Sequence, residues 1–116
     1  MIHAPRNSVK PFDFDGLTIA DYVPGKVDSG SIAEVTVARG ARHKTARSTR
    51  SDKFYVCVEG RMSFKVGEQS VPLNPGDVLV IEKGEWFSYS NESEKTARVL
   101  LFHAPPFDLS AEEFRD

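Results

Sequence analysis

Short runs of β-branched and aromatic residues, broken by Gly, Pro, Asn and Asp, dominate the chain. Such runs read as strands and the breaks as turns. The pattern predicts strands over residues 17–23, 31–38, 53–59, 61–66, 69–73, 78–82, 86–90 and 96–103. Several alternate with period two: Met62, Phe64 and Val66 fall on one face, Ser63 and Lys65 on the other. Val78, Leu79, Val80 and Ile81 run on without a polar residue, which suits a strand covered on both sides. Asn74-Pro75-Gly76-Asp77 is a strong turn signal, and Pro72, unable to donate a ladder hydrogen bond, marks a short or edge strand. Many short strands at regular spacing indicate a sandwich or barrel. Only the tail reads as helical. Ser110 as N-cap and Glu113 three residues on make a capping box, and Pro105-Pro106 stop the strand before it, so a short C-terminal helical turn is expected.

The length of 116 residues suits one domain, taken as residues 1–116. No apolar stretch approaches the roughly 20 residues of a membrane helix. The amino terminus lacks a charged-then-apolar signal pattern, so a cytoplasmic location away from membranes is expected. Cys57 is the single cysteine, which excludes an internal disulfide and a cysteine-based zinc site; its apolar surroundings read as a packed thiol. The net charge of −2 and the lack of a DNA-reading helix argue against nucleic acid as a partner. Charge is uneven, however. Arg39, Arg42, Lys44, Arg47 and Arg50 fall in one stretch with no acidic residue, which reads either as a solvated loop or as an anion-attracting rim.

Two spaced frames add a family. The first is Gly40, then Arg47-Ser48-Thr49, Lys53 and Gly60; the second is Gly76-Asp77, an apolar strand, Gly84, Phe87 and Asn91. Together they resemble the paired motifs of the cupin superfamily, over roughly residues 31–104. The resemblance implies an all-β fold, a double-stranded antiparallel β-barrel of the jelly-roll type, and suggests a homodimer. Metal-binding members use a His-x-His pair and a glutamate in the first motif and a histidine in the second. Here the pair falls on Arg47 and Thr49, or on Ala46 and Ser48 if the spacing is one residue longer; the glutamate falls on Lys53 and the later histidine on Phe87. A benzyl ring has no lone pair, and an ammonium repels a cation. Neither a metal nor another cofactor is therefore expected.

If Lys53 points inward like the glutamate it replaces, strand parity brings Tyr55 and Cys57 to the same face; Phe87 likewise brings Glu85 and Tyr89. Arg47 and Thr49 would join near the mouth. A lining of Arg47, Thr49, Lys53, Phe87 and Tyr89 would suit a small anionic or sugar-like molecule, with Lys53 alternatively paired to Glu34 or Glu85. His43, Tyr55 and His103 are the candidates for proton transfer. Three readings stay open: a metal-independent isomerase, epimerase, lyase or cyclase; a non-catalytic binding or regulatory domain; and a metal-dependent dioxygenase whose unorthodox ligands include His43 or His103.

Overall fold

A computed structural model describes residues 1–115. Its strands, numbered in chain order, form two antiparallel sheets. One contains β1 (Phe12–Phe14), β2 (Leu17–Asp21), β3 (Ser31–Val37), β5 (Asp52–Glu59), β8 (Val78–Ile81) and β10 (Ala97–Ala104), in the order β1-β2-β3-β10-β5-β8. The other contains β4 (Arg42–Ser48), β6 (Met62–Val66), β7 (Gln69–Leu73), β9 (Phe87–Ser90) and β11 (Glu112–Arg115), in the order β11-β4-β9-β6-β7. The ladders do not close into one continuous barrel; the sheets face each other as a jelly-roll sandwich. Among the described residues no helix is long and apolar enough to cross a membrane.

Alternation does most of the building. Leu17, Val35, Val37, Cys57 and Val99 point inward from the first sheet and meet Met62, Phe64, Leu73 and Phe87 from the second, all at most 2% exposed. Each such side chain contributes roughly 1.5–3 kcal/mol by leaving water. Val78 and Val80 correct one expectation. Leu79 and Ile81 face the core while both valines stay exposed, so β8 is covered on one side only. Pro72 sits on β7, at the edge of its sheet, where a missing donor costs little. Gly60 has φ +76°, and a Cβ there would stand 2.8 Å from Ala97 Cα, so only glycine fits. Asn91 is fully buried and fastens the last hairpin: Nδ2 donates to Val37 O (2.9 Å) and Lys95 O (2.6 Å), and Oδ1 accepts from Ser93.

Three strands escape hydrophobic patterning, and two of them change the picture. The basic stretch from Arg39 to Arg50 is neither loop nor rim, because most of it is β4. There the register slips: His43 pairs with Tyr89 and Ala46 with Phe87, three steps on β4 against two on β9. This bulge turns both His43 and Ala46 inward. The tail carries the expected short helical turn, with a different cap and a different continuation. Residues Leu109–Ala111 form a single 3-10 turn capped by Asp108, whose carboxylate accepts from Ser110 N (3.0 Å) and Ser110 Oγ (2.6 Å). Glu113 does not reach back to close a capping box; it pairs with Arg47, and the chain continues as β11 alongside β4.

Candidate active site

One end of the sandwich is left unfilled, as a cavity of about 240 Å³ between the sheets. Pairing registers show how its floor arises. Across the first sheet, Ser31, His103, Lys53 and Ile81 stand side by side on the inner face, and the next row is Asp21, Ala33, Leu101, Tyr55 and Leu79. The opposite sheet supplies His43 and Tyr89, adjacent across β4 and β9. Phe12, Phe14, Phe107, Leu109 and Phe114 surround the entrance with apolar surface. A larger depression of about 600 Å³ lies over the outer side of the second sheet, among Ser63, Lys65, Ser70, Ser88 and Ser90. Apart from His43 and Tyr89, which border both, it shares none of the ionisable side chains of the inner cavity.

Lys53 is the centre of the polar floor. Its Nζ donates to Glu112 Oε1 at 2.7 Å and contacts His103 Nε2 at 2.9 Å, and both members of the ion pair are nearly sealed, with side chains 4% and 5% exposed. Burial lowers the Lys53 pKa, and Glu112 opposes that shift. The expected partners Glu34 and Glu85 lie elsewhere: Glu34 pairs with Arg6 and Arg98, and Glu85 accepts from Glu82 N in an exposed turn. Because an ammonium donates to Nε2 of His103, that ring carries its own proton on Nδ1. Burial first, then Lys53, push the His103 pKa down to about 3.

That shift has a signed consequence. Between about pH 3 and the ordinary histidine value of 6.5, the unfolded chain binds a proton at this ring that the folded one refuses. Stability from His103 is therefore complete above pH 6.5 and is lost as pH falls toward 3, at up to about 1.4 kcal/mol per pH unit. Urea midpoints between pH 7 and 4 should fall less steeply in His103→Gln than in the parent; parallel slopes would contradict the assignment.

His43 is held differently. Its Nδ1 lies 2.6 Å from Lys44 O. A carbonyl cannot donate, so Nδ1 bears the hydrogen, and Nε2 keeps its lone pair with no partner among the described residues. The ring stacks on Phe87 with centroids 5.5 Å apart and packs against Tyr89 at 5.0 Å. Burial lowers its pKa, partly offset by the Lys44 carbonyl and reinforced by the charge on Lys53. At neutral pH it is an uncharged base. Tyr55 and Tyr89 are buried, and burial raises both pKa values. Their hydroxyls stay protonated donors, neither bonded to another described residue.

Not all expected residues converge. His43, Lys53, Tyr55, Tyr89 and His103 line the cavity. Phe87 lies just beneath it, with Lys53 Nζ 5.5 Å from its ring centre. Arg47 and Thr49 do not belong. The bulge sends Arg47 outward, where its Nε meets Glu113 at 2.6 Å and its guanidinium covers Trp86 at 4.6 Å. Thr49 is exposed and bonds to Ala111 O. Ala46 and Ser48 take the inward places instead. Cys57 belongs to the packed core and Glu85 to the surface. Two ionisable wall residues went unnoticed, Asp21 and Glu112. Asp21 could have been found from its parity with Leu17 and Ile19. Glu112 could not, because its segment carried a helical signature.

The donor set does not suit the metal common in this fold. Lys53 Nζ occupies the space between Glu112 and His103, and among the described residues no three of His, Cys, Asp and Glu converge on one point.

A sequence profile of the cupin domain matches residues 33–103, and the chain belongs to that family. A search of curated proteins finds no match. Among solved structures, the chain is similar to Streptomyces Pac13, described as a nucleoside dehydratase, at 22% identity with a TM-score of 0.85, covering 99% of this chain and 91% of that one. A form of Pac13 has been solved with uridine. KdgF from Halomonas is 17% identical with a TM-score of 0.84, over 95% of this chain and 98% of that one. The cupin domain of Schizosaccharomyces pombe Cnp3 is 18% identical with a TM-score of 0.76, over 85% and 70%. At these identities the likeness establishes the fold.

Proposed function

We propose that this cupin is a metal-independent enzyme that moves a proton on a small, neutral, hydroxylated ring compound. The observation that carries the reading is the neutral His43 ring, its Nε2 lone pair left unbonded in a cavity that also holds a buried ammonium and two tyrosine hydroxyls. His43 Nε2 takes a proton from a carbon beside a carbonyl. The electron pair moves onto the carbonyl oxygen, where a hydroxyl of Tyr55 or Tyr89 donates a hydrogen bond. Return of the proton to the other face or a neighbouring carbon completes an isomerisation. Alternatively the C–O bond of a neighbouring hydroxyl breaks, and the group leaves as water after receiving a proton from Lys53.

An anionic ligand no longer has the support expected for it, since Arg47 lies outside the cavity and the Lys53 charge is matched by Glu112. The neighbour solved with uridine makes that nucleoside a sensible first probe. Uridine should raise the melting temperature of the chain in a saturable way. Hydroxylated carbonyl compounds, among them nucleosides oxidised at the sugar, should be isomerised or lose water without added metal, as read by mass spectrometry. Binding with no conversion would reduce the reading to a binding module; turnover that appears only with a transition metal would overturn it.

A further inference from the structure

Asp21 ends β2, and its Oδ1 is buried without a hydrogen-bond partner, the one such side-chain atom among the described residues. Its carboxylate is steadied by the backbone N–H of Val23, and burial raises its pKa. Among the described residues no cation answers it: Lys53 is engaged by Glu112, and no ion pair there includes Asp21. Orphaned buried acceptors are uncommon in folded proteins and ask for a reason. Here the location supplies one. Asp21 lines the cavity, and across the inner face only Ala33 and Leu101 separate it from Tyr55. The wall thus places a free acceptor at one side of the chamber and hydroxyl donors further in.

We propose that Asp21 is a specificity residue, whose Oδ1 accepts a hydrogen bond from a hydroxyl of the bound molecule and turns away ligands that lack that donor or carry a negative charge. This rests on the reading of the cavity as a site for neutral hydroxylated compounds. A site built around a polar partner rejects analogues without it, because the protein group is then left buried and unpaired.

The test compares uridine with 2′,3′-dideoxyuridine by calorimetry, in the parent and in Asp21→Ala. The parent should bind uridine at least tenfold more tightly than the dideoxy compound, and Asp21→Ala should bind the two within a factor of about three. Equal affinities in the parent, or a preference kept by Asp21→Ala, would overturn the inference while leaving the proton-transfer reading standing. If neither nucleoside binds the parent, uridine fails as a probe for that reading, and Asp21 is judged without ligand. Asp21→Asn keeps an oxygen for Val23 and removes the uncompensated charge, so its melting temperature should equal or exceed that of the parent. A lower one would make the carboxylate a structural acceptor and overturn the proposal.

Discussion

Lys53→Met and Glu112→Leu should each lower stability by about 3–5 kcal/mol, whereas the double variant should lose much less than the two losses combined. The two side chains are 4% and 5% exposed, so removing either leaves an ionisable group sealed from water. Removing both replaces a pair that was costly to desolvate with apolar surface that fits its surroundings. Unfolding in urea at pH 7 measures all four corners of the cycle. Strict additivity would mean that the 2.7 Å contact is not an energetic unit. Glu112→Leu has a further effect on its partner, because the carboxylate is what opposes the depression of the Lys53 pKa by burial.

His43→Gln is the second large effect, and it falls on rate rather than stability. Glutamine can still hydrogen-bond but cannot take a proton, so turnover should fall by about 10²–10⁴-fold. The rise in melting temperature with ligand should persist. In the parent, the acid limb of kcat/KM should lie below the ordinary histidine value of 6.5, because burial lowers the His43 pKa and the ring stays neutral further into acid. An acid limb above 6.5, or a variant with unimpaired turnover, would remove His43 from the reaction.

How much of this could be read without coordinates depends on where parity holds. Along β5 it holds without interruption, so the placement of Lys53, Tyr55 and Cys57 on one inward face follows from alternation alone. The same is true of Phe87 and Tyr89 on β9. Along β4 it fails. One extra residue between His43 and Ala46 shifts everything after it, exchanging Arg47 for Ala46 and Ser48 at the inner face. No hydrophobic alternation betrays such a bulge when the inward residues are a histidine, an alanine and a serine. The tail misled for another reason. Ser110 and Glu113 carry a genuine capping signature, but Asp108 takes the cap and tertiary pairing of Glu113 with Arg47 draws the segment into a sheet. Local preference lost to a partner about 66 positions away.

The conserved-domain profile spans residues 33–103, yet Phe12, Phe14, Ile19, Asp21, Phe107, Leu109, Glu112 and Phe114 all stand outside it and all touch the cavity. The profile therefore covers only part of the cavity wall: His43, Lys53, Tyr55, Tyr89 and His103 lie within it, and these flanking residues do not. Two proteins that such a profile cannot tell apart can differ throughout their flanks and accept unrelated molecules. Sorting members of the family by what they bind requires aligning those flanks, and a chain trimmed to the matched segment would retain a sandwich open along one side.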